Sequence, residues 1–380
     1  MLSDTLIKII VLLLPTQFGL HFWPIFSRVA GIKIDYLSPT LYLLDPLLLL
    51  LVFLNLKRLL HFFQKNLLTT SIFLFFIIIN TYFSLSPLNT LFWWLRNLLY
   101  LFTFLVLFLR HLTWPQIRTP LLFGTITVVL IEITQLCFQS SLGGPLYFLG
   151  ERAFSGSTPG IGRLNLLGLE VLRPTSTFSH ANSLAGYLLV VFYLFFKYPS
   201  KSWHKLVPFI GILLTFSKTV ILSLAFIIFN FKPELIILIS LVFTFTQPFI
   251  QNSSTLWQSL SDRLFYYSYL KKIILQNPLT GVGLGNFIPA LGKHLPGSFI
   301  TPSKLQPIHN LFYLVISEIG IIGTLLLVLS LLKQKVLQQL SKPAVLGLLS
   351  LVIFTGVFDH YTWTLPQNKL IFLIALSIML

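Results

Sequence analysis

Ten residues, Arg173-Pro174-Thr175-Ser176-Thr177-Phe178-Ser179-His180-Ala181-Asn182, bring an arginine, several hydroxyls, a histidine and an amide into one short stretch. Such a set supplies hydrogen bonds suited to phosphate oxygens or sugar hydroxyls. It can equally cap the helix that follows, with Ser179 or Asn182 as N-cap. A second cluster, His309-Asn310, opens an apolar run containing Tyr313, Glu318 and Gly320. A neutral imidazole there can take a proton from an incoming hydroxyl; the plainer reading is a histidine hydrogen-bonded at an interface. On a regular helix Glu318 falls half a turn off the His309 face, so no dyad of these two is expected. Between the clusters stands Gly281-Val282-Gly283-Leu284-Gly285-Asn286. Alternating glycines can turn backbone N–H groups toward an anion, or simply form a turn. Lys218, after Ser217, is a further cation that could meet an anion or snorkel to an interface.

Other chemistries lack their residues. The ten acids are scattered, with no D-x-D or E-x-D pair, and no H-x-x-x-H motif occurs. Carboxylates that would hold Mg²⁺ or Mn²⁺ are therefore not evident, and a metal-free, cofactor-free reaction is expected. No phosphate-binding G-x-x-x-x-G-K-[ST] loop is present, which argues against ATP. The single cysteine, Cys137, excludes disulfides within the chain.

The elements that must position these residues are apolar. Of 380 residues, 55% are hydrophobic and only 9% charged, too few to cover a water-facing surface. The expected fold class is an all-α polytopic membrane protein, a single integral membrane domain over 1–380. Twelve apolar runs, at about 5–20, 38–55, 69–84, 91–109, 119–139, 181–196, 206–216, 219–231, 234–249, 309–331, 343–357 and 369–380, predict about 12 transmembrane helices. Short basic loops, such as those with Lys57 and Arg58, Arg110 and Arg118, or Lys333 and Lys335, read as cytoplasmic and place both termini inside.

Two long outer loops remain, about 140–180 and 250–308, and they form the candidate active site. They are basic as well, with Arg152, Arg163, Arg173, Arg263, Lys271, Lys272, Lys293 and Lys304. Part of the net charge of +16 is thus not needed for orientation. An anionic ligand at the membrane surface explains it; nucleic acid is not expected. Within the second loop, Leu264, Tyr267, Leu270, Ile273 and Ile274 predict an amphipathic helix that Asn277-Pro278 ends. Arg96 and Glu132 lie at matched depth, about 9 Å inside consecutive spans, and are expected to pair; Asp45 has no evident partner.

Taken in order, Arg173 to Asn182, Ser217-Lys218, Arg263, Pro278 to Asn286 and His309-Asn310 through Glu318-Ile319-Gly320 resemble the O-antigen ligase and O-antigen polymerase superfamily over about 165–330. The resemblance implies a membrane enzyme of the cytoplasmic (inner) membrane. It would move a glycan from an undecaprenyl-diphosphate carrier to a hydroxyl of a glycan, lipid or protein acceptor, without metal, cofactor or nucleotide. It implies that Arg173 and Arg263, with Lys218, bind the diphosphate and that His309 is the base. Thr175, Thr177, His180, Asn182, Gly283, Gly285, Asn286, Asn310 and Glu318 would support or bind substrate. Lys218 stands where the family more often has arginine, which weakens a bidentate phosphate contact there. A single displacement would invert the anomeric carbon. The competing readings are a polymerase of lipid-linked repeats and, in another class, a transporter or flippase of the same lipid. Asp359 and His360 have no role that the sequence assigns.

Overall fold

The computed structural model describes residues 2–155, 158, 161–166, 168–247, 258–331, 338–339 and 341–380. Sixteen helices dominate the described residues: α1 (Leu2–Leu13), α2 (Leu44–Leu54), α3 (Leu56–Lys65), α4 (Leu67–Tyr82), α5 (Pro87–Leu109), α6 (Trp114–Phe138), α7 (Ala181–Lys197), α8 (Ser202–Leu214), α9 (Lys218–Ile228), α10 (Pro233–Thr246), α11 (Gln258–Gln276), α12 (Phe287–His294), α13 (Leu311–Leu331), α14 (Pro343–Phe358), α15 (Tyr361–Thr364) and α16 (Pro366–Met379). Three antiparallel pairs accompany them: β1 (Gly19–His21) with β4 (Thr40–Tyr42), β2 (Arg28–Val29) with β3 (Ile32–Lys33), and β5 (Arg163–Leu166) with β6 (Leu169–Leu172).

The all-α membrane class agrees with this architecture, whereas twelve full-length spans are not seen among the described residues. Among the described residues, α5, α6 and Leu311–Leu329 of α13 are long and apolar enough to cross a membrane. A fourth span arises if α2 and α3, bent by 67° at their junction, act together. Seven other apolar helices run 10–17 residues. Seventeen residues rise only about 25 Å, short of a hydrocarbon core of about 30 Å.

Helix α7 sits at the centre. Its residues Ser183 to Phe195 are all buried, as expected for a helix that is apolar on every side, and it packs against α8, α9 and α16. Its N-terminus carries the Arg173–Asn182 cluster, so the polar residues are held by the most enclosed element. Helix α5 packs against α2 and α16, while α6 packs against α1 and α8. This arrangement overturns the expected Arg96–Glu132 pair: depth along consecutive helices does not make neighbours of them. Arg96 instead bonds Asp45 at 3.1 Å, Tyr100 Oη at 3.0 Å and the Thr40 carbonyl, giving Asp45 its partner. Glu132 is fully buried beside Gly211, and neither carboxylate oxygen has a hydrogen-bond partner among the described residues.

Helix α13 is interrupted at Gly320, whose φ of 65° and ψ of −172° are not helical. The glycine-rich turn fills the break. Val282 and Gly283 donate to the carbonyls of Ser317 and Glu318, and Ile321 and Ile322 donate to Pro278 and Leu279. Backbone groups freed inside an apolar bundle must find such partners. A Cβ on Gly320 would stand 2.4 Å from Gly281 N, and one on Gly281 2.4 Å from the Glu318 carbonyl oxygen. Gly320→Ala therefore adds a left-handed-φ penalty of about 1 kcal/mol to a backbone collision. The detergent-solubilised variant should melt several degrees below wild type, and an unchanged Tm would remove the packing argument.

Candidate active site

A cavity of about 730 Å³ opens where the α7 N-terminus meets the turn between α14 and α15. Arg173, Thr175, Ser179, His180, Asn182, His309 and Asp359 line it, together with Arg152 and residues from 17–42 and the start of α5. Sequence-distant clusters thus face one space. Its size is that of a small-molecule site, about 300–1,000 Å³.

The arginine is fixed by its neighbours. Arg173 Nε donates to the Thr215 carbonyl at 2.9 Å and its Nη2 to Asn182 Oδ1 at 2.7 Å. Ser217 Oγ donates to the same Asn182 oxygen at 3.2 Å, and Asn182 Nδ2 donates to Asp359 Oδ2 at 3.0 Å. Asn182 is therefore the link between cation and carboxylate. Arg152, beside the same cavity, pairs with Asp35 at 3.5 Å.

Histidine and aspartate meet at the other end of this chain of contacts. His309 Nδ1 lies 3.8 Å from Asp359 Oδ1, within ion-pair reach, and the His309 ring tilts over His360 with centroids 5.2 Å apart. Asp359 Oδ1 also accepts its neighbour's backbone N–H at 2.8 Å. Burial opposes the Asp359 charge, but the facing His309 side chain leads the interactions that offset it, and the carboxyl is held well below its ordinary range. His180 caps α7, its Nδ1 accepting from Ser183 N at 3.1 Å. The cap is thus His180, in place of the expected Ser179 or Asn182. Burial pushes His180 down to about 4 and His360 to about 3, so both stay neutral where His309, about one-quarter exposed, meets the cavity. A spacing within 4.8 Å among His309, Asp359 and His360 is also open to a divalent cation. The sequence pattern concealed that cluster because its members come from two separate turns.

The neutral histidines have a stability consequence. Once unfolded they take up protons below about pH 6.5, whereas folded they do so only near 4 and 3. Their contribution is complete above about 6.5 and falls as pH drops toward those values, by about 1.4 kcal/mol per pH unit for each histidine. The Tm should fall between pH 7 and pH 5, and His180→Asn should flatten that slope; equal slopes would contradict the assignment.

Other candidate residues lie elsewhere. Thr177 donates to the Pro15 carbonyl at 2.6 Å and does not line the cavity. Asn310 caps α13 by accepting from Phe312 and Tyr313 N, and its amide donates to Gln247 at 2.9 Å. Asn286 ties the glycine turn to Thr90 and Asn89. Gly285 lines a separate small cavity with Glu318, Trp93 and Trp363. There the backbone N–H groups of Gly285 and Phe287 meet the chain's own Glu318 carboxyl, which also accepts from Trp363 Nε1 at 3.0 Å. Gly283 approaches Ser84 and Thr90. Lys218 is exposed at the start of α9 and is not part of the cavity lining. Arg263 falls within α11, but its side chain lies outside the described residues, as do Lys333 and Lys335. Of the apolar face expected in α11, Leu270 and Ile273 are buried and Tyr267 and Ile274 half-buried, the Leu264 side chain lies outside the described residues, and Lys271 and Lys272 are exposed.

The helices fit a membrane protein, and the polar cavity has the size of a small-molecule site. Residues 175–328 match the O-antigen ligase family, so this segment is similar to that family. No curated protein and no solved structure matches it.

Proposed function

We propose that this protein transfers a glycan from an undecaprenyl-diphosphate carrier to an acceptor hydroxyl at the outer face of the inner membrane, with both termini inside. The observation that carries this reading is one cavity lined by Arg173, His309 and Asp359, with Asn182 joining arginine to carboxylate. Asp359 orients the imidazole so that Nδ1 carries the proton and Nε2 can act as base, a role familiar from catalytic triads. His309 removes the acceptor proton as the oxygen attacks the anomeric carbon. The bond to the diphosphate breaks, and its electrons leave with the lipid. Arg173, its fork held in place, stabilises the charge that develops there. Arg263 is proposed as a second diphosphate contact.

The test is reconstitution in liposomes with undecaprenyl-diphosphate-linked N-acetylglucosamine and a saccharide acceptor. Transfer should proceed after dialysis against EDTA. Dependence on added Mg²⁺ or Zn²⁺ would instead assign the His309–Asp359–His360 cluster to a metal. A ladder of products would indicate a polymerase, and movement of intact donor across the bilayer without transfer would indicate a transporter.

A further inference from the structure

One wall of the cavity comes from residues outside the stretch 175–328: the segment between α1 and α2, with Phe92 and Trp93 of α5. This wall is built, not incidental. Strands β1 and β4 pair across it, His21 Nδ1 lies 3.0 Å from Thr40 Oγ1 and 3.3 Å from Ser38 Oγ, and Arg96 clamps the segment to α5 through the Thr40 carbonyl and Asp45. The ion pairs Arg96–Asp45 and Arg152–Asp35 offset the charges along it. Lys33, whose ammonium lies over the Trp23 ring at 5.2 Å, is one further charge on this wall; the other groups it offers are aromatic rings at Tyr36, Tyr42 and Trp93 and hydroxyl and amide groups at Ser38, Thr40 and Gln17. Gln17 Oε1, Trp93 Nε1 and Ser179 Oγ are buried without a hydrogen-bond partner among the described residues. An acceptor, a donor and a hydroxyl left unpaired on residues that line one cavity with aromatic rings match a sugar, whose hydroxyls both give and take hydrogen bonds and whose C–H faces are apolar.

The wall also has a side. Tyr36 packs edge-on against His360 at 5.6 Å, and His360 lies under His309. Residues around Tyr36 therefore flank the base, where the attacking hydroxyl must sit. We propose that this N-terminal wall is the acceptor subsite, that it takes a neutral saccharide, and that Tyr36, Gln17 and Trp93 set which saccharide is accepted. The proposal rests on the glycan-transfer reading above, and its test separates the two.

Saturation-transfer NMR of the full chain in detergent, with glucose, galactose and N-acetylglucosamine as probes, reads sugar binding without turnover. At least one probe should give a saturation-transfer signal, reduced about fivefold in Gln17→Leu, which keeps the side-chain volume, and in Trp93→Phe. In the liposome assay the same variants should raise acceptor KM about tenfold and leave donor KM within about twofold. No signal from any probe, a signal indifferent to both variants, or a rise in donor KM in place of acceptor KM would overturn the subsite. If the signal fell in the variants while the wild-type protein formed no glycan product, the transfer reading would be overturned and the wall kept. Glycan transfer with acceptor KM unmoved would do the reverse.

Discussion

Replacing His309 with alanine should lower kcat for glycan transfer by about 10²–10⁴-fold, the usual share of a positioned general base. Binding of the lipid diphosphate should stay within about twofold, because Arg173 is held by Thr215 and Asn182 and not by His309. In the proposed mechanism the acceptor loses only the group that takes its proton. Asp359→Asn keeps the shape of the site but removes the carboxylate that faces Nδ1 at 3.8 Å. As a positioning change it should lower kcat while both KM values hold. A structural collapse would move kcat, KM and Tm together, so the split between them identifies the role. If His309→Ala transferred glycan at the wild-type rate, the base would have to be sought elsewhere.

Arg173→Ala should act differently. In the proposed mechanism its loss removes a preorganised cation from the leaving group, an expected fall of about 10²–10³-fold in kcat for one such donor, and should also weaken donor binding. The effect on kcat/KM should therefore exceed the effect on kcat alone. Arg173→Lys should recover only part, since an ammonium cannot reproduce the guanidinium fork. Lys218→Ala is the contrasting variant. Lys218 is exposed and is not part of the cavity lining, and its removal should change kcat/KM by less than about threefold. Fluorescent undecaprenyl-diphosphate binding and initial rates read both variants. Equal losses for Arg173 and Lys218 would argue for a diffuse basic surface in place of a built site.

The parts of this site that could be read from the chain were those where polar residues interrupt apolar sequence. Arg173, His180, Asn182 and His309 stood out for that reason, and all four line the same cavity. The Asp359–His360 pair stood out less, because two polar residues between apolar runs look like any turn. Only the packing of α14 and α15 against the α7 entrance brings Asp359 to Asn182 and His309. The glycine-rich turn was recognisable as a place where backbone N–H groups could meet an anion. That these N–H groups meet the Glu318 carboxyl, and that the turn repairs a broken helix at Gly320, depends on a contact between separate segments that spacing does not encode. Arg96 shows the converse. Depth along a helix is legible, but which helix stands beside it is not, and Asp45 of α2 supplied the partner expected from Glu132. The aromatic wall from 17–42 carried no motif at all, since its residues acquire meaning only by facing His309 across a shared space.

A single displacement at the anomeric carbon, with a lipid diphosphate as leaving group, lies at the centre of the proposed reaction. Its most direct measurement uses undecaprenyl-diphosphate-linked N-acetylglucosamine of known anomeric configuration and a saccharide acceptor. The released lipid is quantified and the configuration of the new linkage is read by NMR. One undecaprenyl diphosphate should be released for each linkage formed, with the anomeric configuration inverted. A retained configuration, or release of lipid without a new linkage when the acceptor is present, would contradict the displacement.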